Sequence, residues 1–337
     1  MTDTSNDTHT SDGGLRTLDA ADVFRLLPPA AAADALADAL RAGLDPERAT
    51  PRISVPAPDG NELLLMPATA EATAASGSWA GVKITGIAPG NPARDLPRIT
   101  GSYLLLDGAT LLPVALMDGA ALTSLRTPAV SALAIRHLTP AEGPLRLVVF
   151  GTGPQAYAHL DAVCAEREVA EAVVVGRDPA KARPLVAHAE ALGVPKARTG
   201  TADDVADADL VLCCTTARTP LFDGRLVAPG ATVVAVGSHE PDARETDSAF
   251  VARSTVYVES RAAADREAGD LLVPLAEGVI GPDHVAGTLA DLANGRATPP
   301  PGVPRFFKSV GMAWEDLAVA VALHRAALRE AGGVSET

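Results

Sequence analysis

From Leu145 onward, short apolar runs rich in β-branched residues alternate with stretches of helical spacing. Leu145–Phe150 stops at a glycine-rich turn and becomes helix-compatible; residues 172–175, a helix over 179–192, Leu210–Cys213, residues 232–236 and Thr255–Val258 follow. Short apolar runs of this kind suit strands buried on both faces of a parallel sheet. Their alternation with helices predicts βαβ units and a doubly wound α/β domain. Before this region, residues 101–138 parse as a strand, a turn at Asp107-Gly108, a second strand and a long helix. In the alanine-rich stretch 30–42, Asp34 and Asp38 fall four residues apart, which predicts an amphipathic helix and not a membrane span. A last helix is expected over 314–331, after the low-complexity connector PPPGVP at 299–304. That layout makes the two ends of the chain neighbours.

The turn after Leu145–Phe150 carries the first chemistry. Gly151, Gly153 and Ala156 occupy the three positions of G-x-G-x-x-G/A, which serve the tight turn, the open backbone for a pyrophosphate, and close helix packing. The helix that follows presents free N–H groups and its positive end to phosphates. At the end of the next strand the chain reads Val175-Gly176-Arg177-Asp178, with Lys181 and Arg183 just downstream. An arginine there accommodates a 2′-phosphate, which favours NADP(H). Asp178 as ribose ligand, with NAD(H), or as the cap of the next helix, is the other reading. Thr127-Pro128 reads as a helix start with Thr127 at the N-cap. This puts Arg126 at the positive helix end and predicts an anion, substrate carboxylate or cofactor phosphate, as its partner.

Composition narrows the class. The chain has 337 residues, enough for two domains, with 47% apolar but only 3% aromatic residues, so the core is built of Ala, Val and Leu. A net charge of −14 argues against nucleic acid or an anionic membrane surface as partner. Cys164, Cys213 and Cys214 read as reduced core residues, no Cys/His cluster has metal-ligand spacing, and the N-terminal segment lacks a signal-peptide pattern. A cytoplasmic protein without a metal is expected.

Four segments in register, ALMDGAALTSLRTPAVSALA, GTGPQA, VGSHEPDARETD and FFKSVGMAWEDLAVA, resemble the ornithine cyclodeaminase and mu-crystallin family, with matches spread from Arg52 to Ala320. The resemblance implies a substrate and dimerisation domain, made from residues 15–127 and 310–337, around a Rossmann-type dinucleotide domain at 128–309. Residues 1–14 are expected as a disordered tail, and the protein as a homodimer. The resemblance also implies that Arg52 in PRISVP, Lys83 in GVKITG and Arg126 in LRTPA hold a substrate carboxylate. For the cofactor it implies Thr127, Gly151, Gly153, Gln155, Ala156, Arg177, Thr215 and Thr216. Val236, Gly237, Lys308 and Ser309 are expected near the nicotinamide.

One position departs from the family pattern. Cyclodeaminases carry an aspartate two residues after the glycine matching Gly237, where it handles the substrate amine; this chain has His239. A histidine near its ordinary pKa donates a proton as readily as it accepts one, and Glu240, Asp242 and Glu245 nearby are expected to raise that pKa or to serve only the loop. Lys83 and His239 are therefore the candidate catalytic groups of an NAD(P)H-dependent oxidoreductase acting on the C–N bond of a small α-imino or α-amino acid. The alternatives are a cyclodeaminase converting ornithine to proline and ammonia, and an NADP-binding protein without turnover.

Overall fold

The computed structural model describes residues 14–72, 77–140 and 143–332. All but Gly14 of the expected N-terminal tail lies outside the described residues. The chain opens with β1 (Arg16–Leu18), α1 (Ala20–Leu26) and α2 (Pro29–Arg41), then β2 (Ile53–Pro56), β3 (Glu62–Ala70), β4 (Trp79–Ile87), β5 (Ile99–Asp107) and β6 (Pro113–Asp118). Next come α3 (Gly119–Leu138), β7 (Leu145–Phe150), α4 (Pro154–Glu166), β8 (Val169–Val175), α5 (Pro179–Ala191), β9 (Lys196–Thr199), β10 (Leu210–Cys213) and β11 (Thr232–Ala235). The last part runs α6 (Ser248–Arg253), β12 (Thr255–Val258), α7 (Arg261–Glu267), α8 (Gly269–Ala276), β13 (Val285–Thr288), α9 (Leu289–Ala293), β14 (Arg305–Lys308) and α10 (Ala313–Gly332).

The strands form two sheets. Eight parallel strands take the order β13-β12-β14-β11-β10-β7-β8-β9. The chain order reverses beside β7, and in open α/β sheets ligands bind in the crevice at that switch point, outside the carboxyl ends of the strands. The expected α/β class and the expected strands are present. The connector at 299–304 leads into β14, which lies between β11 and β12 in the sheet, before the chain reaches α10. β9, β13 and β14 are only four residues each, too short for a periodic signal.

The second sheet has the order β1-β6-β5-β4-β3-β2, antiparallel apart from the β1–β6 pair. Leu64, Met66, Tyr103, Leu105, Ala115 and Met117 are buried on its inner face, and α10 packs across β3, β4 and β5. The outer face stays apolar too: Ile53, Val55, Leu63 and Ile84 are exposed, and Ile53 and Ile84 both pair with Leu65. A sheet apolar on both faces loses the alternation of a half-solvated one, which is why β3 reads as an unbroken run.

α3 corrects one expectation. Its N-cap is Asp118, whose side chain accepts from Ala121 N, and Pro128 lies inside the helix. Thr127 is therefore an interior helical residue and not a cap, and Arg126 is far from the positive helix end. Among the cysteines, Cys213 and Cys214 are core residues as expected, while Cys164 is half-buried; all three are free.

Candidate active site

The glycine turn lies between β7 and α4 as its spacing requires. Gly151 has φ +111°, and a Cβ there would collide with the Cys214 carbonyl at the end of β10. Gly153 is the N-cap of α4 with no side-chain cap bond, and nothing lies within 4 Å of its Cβ position. Ala156 is fully buried against the sheet, while Gln155 Oε1 is buried without a donor. Free backbone N–H groups at a helix N-terminus that no Cβ crowds fit a dinucleotide pyrophosphate. At the end of β8, Asp178 caps α5 by accepting from Ala180 N. Arg177 is exposed and engages no side chain among the described residues.

The loops after β10 and β11 are joined by Glu245. Its carboxylate accepts from Thr215 N at 2.8 Å, Thr215 Oγ1 at 2.7 Å and Gly237 N at 2.8 Å. Asp270 in turn accepts from Glu245 N and Thr246 N, and meets Lys308 Nζ at 3.1 Å. Lys308 also donates to the Ser238 carbonyl at 2.8 Å. Glu245, Asp270 and Lys308 are all buried. Burial, with Asp270 adding, pushes the Glu245 carboxyl up to about 7 against the pull of Lys308. Lys308 and Ser309, expected at the nicotinamide, thus turn their side chains to protein groups: Ser309 Oγ donates to Glu259. Val236 follows β11 with its N–H on the Cys213 carbonyl, and Thr216 is exposed next to the Glu245 bridge.

The three expected carboxylate-binding cations come from different elements and meet beside this region. Lys83, from the middle of β4, is buried, with Nζ 2.9 Å from both Asp316 oxygens and 3.2 Å from Thr123 Oγ1. Burial and the Arg126 charge lower its pKa to about 8, against the pull of Asp316. Arg126, in mid-α3, donates from Nε to Asp316 at 3.1 Å and from Nη1 to Glu315 at 2.6 Å. Burial opposes its charge, but Asp316, Glu315 and Glu259 together hold its pKa above the ordinary value. Two internal carboxyl groups thus already face the Arg126 guanidinium. Arg52, just before β2, lies 2.8 Å from Glu267 and donates to the Val310 and Gly311 carbonyls, each at 2.7 Å.

Gly311, with φ +76°, packs flat against Arg126: a Cβ there would lie 2.7 Å from Nη1. The turn after β14 thus touches two of the three cations. His239 lies on the loop after β11. Its pKa is lowered, first by desolvation and then by Arg52, with Glu240 acting against this. Glu240 raises it but does not outweigh burial and Arg52; Glu240 and Asp242 pair with Arg218, and Glu245 faces Thr215 and Gly237.

Sequence reasoning missed Glu259, Glu267, Asp270, Glu315 and Asp316. The available signal was acidic residues in an otherwise buried helix start, AWEDLAVA, but acids in a first turn ordinarily answer the helix dipole.

With this geometry in hand, three comparisons bear on the chain. The model of the ornithine cyclodeaminase/mu-crystallin family matches residues 18–330. A Delta(1)-pyrroline-2-carboxylate reductase of Colwellia psychrerythraea is 36% identical over 237 residues, covering 67% of this chain and 73% of the relative. A Delta(1)-pyrroline-2-carboxylate/Delta(1)-piperideine-2-carboxylate reductase of Azospirillum brasilense is 35% identical over 317 residues, 93% of this chain and 97% of its own. Among solved structures, the Thermococcus litoralis Delta(1)-pyrroline-2-carboxylate reductase in complex with NADH and L-proline superposes with a TM-score of 0.86 at 28% identity, covering 96% of this chain and all (100%) of that one.

Proposed function

The chain belongs to the ornithine cyclodeaminase/mu-crystallin family, and we propose that within it the protein is a cyclic imino-acid reductase. It is an NAD(P)-dependent oxidoreductase acting at the C–N bond of small α-imino or α-amino acids. The observation that carries the finer reading is the convergence of Arg52, Lys83 and Arg126 next to the carboxyl ends of the nucleotide-binding strands. Cations from a sheet and a helix that share internal carboxylates form a preorganised seat for one more carboxylate. An imino acid held there by its carboxylate presents its C=N carbon toward the crevice.

When bound, a reduced nicotinamide supplies the hydride for the imine carbon. Gly151, Gly153, Gln155 and Ala156 would hold its pyrophosphate, and Thr127, Thr215, Thr216, Val236 and Gly237 would line the rest of its path. Lys308 and Ser309 would act through the loops they hold. Arg177 is free to meet a 2′-phosphate while Asp178 serves as a helix cap, which supports NADP(H) over NAD(H). His239, kept neutral by desolvation and Arg52, can accept from an iminium N–H without the repulsion an imidazolium would bring. Lys83 anchors the substrate carboxylate as a cation below its pKa.

The exposed apolar face of the six-stranded sheet supports a homodimer, since Ile53, Val55, Leu63 and Ile84 lie open on it. A cytoplasmic location fits three free cysteines, and no helix among the described residues is long and apolar enough to cross a membrane.

Reduced-nicotinamide absorbance, followed with pyrroline-2-carboxylate and piperideine-2-carboxylate, tests the reading. Stoichiometric NADPH consumption with either imine is expected. Formation of proline and ammonia from ornithine with catalytic NAD+, and no imine reduction, would instead establish a cyclodeaminase.

A further inference from the structure

Two carboxyl groups meet under Arg126. Glu315, in the first turn of α10, is fully buried; its Oε2 receives Arg126 Nη1 at 2.6 Å, while Oε1 faces no donor. The group beside it is the carboxyl of Glu259, the residue after β12, which is itself buried. Glu259 is fully supplied with donors: Ser309 Oγ at 2.5 Å, Val310 N at 2.9 Å and Gly311 N at 3.0 Å. That is the acceptor pattern of an ionised carboxylate held in a backbone nest.

Two buried carboxylates in contact do not both stay ionised, because like charges repel strongly where water is excluded. One proton between them converts the repulsion into a short charge-assisted hydrogen bond. The donors around Glu259 mark it as the anion, and the orphaned Oε1 of Glu315 marks that residue as the acid. We propose that Glu315 is a protonated carboxylic acid donating to the Glu259 carboxylate, and that this pair positions the substrate-carboxylate pocket.

The pair reaches the pocket by two routes. Glu315 fixes Arg126 through its second oxygen, and Glu259 holds the Ser309–Val310–Gly311 turn, whose carbonyls receive Arg52 and whose glycine packs on Arg126. The charged groups facing Glu315 are Arg126 from α3, Lys83 from β4, its neighbour Asp316 and Glu259. With Glu315 neutral, the carboxylates of Glu259, Glu267 and Asp316 balance Arg52, Lys83 and Arg126, so an imino acid carrying both a carboxylate and an iminium enters without net charge. Burial and Glu259 push the Glu315 carboxyl well above its usual range, consistent with this arrangement.

This inference rests on the proposed carboxylate pocket, and its test separates the two. Infrared difference spectra of wild type minus E315Q at neutral pH should show a protonated-carboxyl band that belongs to Glu315. In kinetics with pyrroline-2-carboxylate, E315A should raise KM about tenfold or more, the size of a lost charge-assisted contact, with NADPH affinity unchanged. The E315Q amide, able to donate to Glu259 and accept from Arg126, should restore most of that loss. E259A should behave like E315A, because the Val310 and Gly311 N–H groups and the Ser309 hydroxyl lose their acceptor. Absence of the band, or tolerance of E259A, or an E315Q as impaired as E315A, would each overturn the proposal. If E315A does not fold, the infrared band and the comparison of E315Q with wild type still decide it. Wild-type protein inert toward imines would sink the functional reading alone, since the infrared band does not depend on turnover.

Discussion

Lys83 and Arg126 close on a single carboxylate: Asp316 lies 2.9 Å from the Lys83 ammonium and 3.1 Å from the Arg126 Nε. The strand and the helix that carry these cations are tied by a residue almost two hundred positions further along, in the first turn of α10. An internal counter-charge thus holds the two cations in place before any ligand arrives.

Replacing Asp316 with asparagine should therefore leave two buried cations facing each other without their shared counter-charge. Breaking one partner of a buried ion pair typically costs about 3–5 kcal/mol, so D316N should lower the free energy of unfolding by that order in urea titrations. A loss within experimental scatter would mean that the two cations do not depend on this counter-charge.

The grip on substrate should weaken in alkali. Lys83 has its pKa lowered from 10.5 to about 8 by burial and Arg126, so it is a cation below that pH and neutral above it. kcat/KM for an imino acid should stay level up to pH 8 and then fall, by about tenfold per pH unit for a single required proton. NADPH affinity should not follow this limb. A profile flat to pH 10 would remove Lys83 from the carboxylate seat.

Glu245 offers a test of linkage with a definite sign. Its carboxyl is raised from 4.5 to about 7 in the folded protein. Between those values the unfolded chain has released the proton that the native state keeps, so stability falls as pH rises from 4.5 to 7 and is level beyond. The full difference is about 3 kcal/mol at 1.36 kcal/mol per unit. E245Q cannot titrate, so the gap in unfolding free energy between wild type and E245Q should change by this order across the window. Parallel pH curves would show that Glu245 ionises normally.

Arg177→Ala probes the cofactor preference. Because Arg177 engages no side chain among the described residues, its loss should leave the fold intact and weaken NADPH binding by about tenfold, as for one charge-assisted phosphate contact. NADH affinity should hold. Equal losses for the two cofactors would withdraw the 2′-phosphate assignment.

A charge on the outer sheet face tests the proposed homodimer. Ile84 is 40% exposed and sits among other open apolar residues, so light scattering should give a dimer for the wild type and a monomer for Ile84→Glu. A monomeric wild type would overturn the dimer, and a variant as dimeric as the wild type would move the interface elsewhere.

Much of this architecture was legible because its signals are local. The Leu145–Phe150 strand, the glycine turn and the Asp178 cap each lie within a few residues, and the structure contains all three. Thr127-Pro128 misled for a physical reason: proline suits a first helical turn, yet it also survives inside a helix when packing on several sides holds it, as in α3. The cations Arg52, Lys83 and Arg126 were legible as a set only through family resemblance. Their carboxylate partners were not, since Glu259, Glu267, Glu315 and Asp316 come together by long-range topology and not by spacing.

The position of β14 bears on how the protein is made. Residues 305–308 pair on one side with β11 and on the other with β12. Until they leave the ribosome, those two strands have a gap between them and each shows an unpaired edge, the kind of surface that invites wrong partners. The same four residues lead directly into the turn held by Glu259 and then into the helix bearing Asp316. β14, synthesised after the seven other strands of its sheet, thus completes that sheet and leads to the anchor of the cations, so a nascent chain gains the proposed site only once residues 305–316 have emerged.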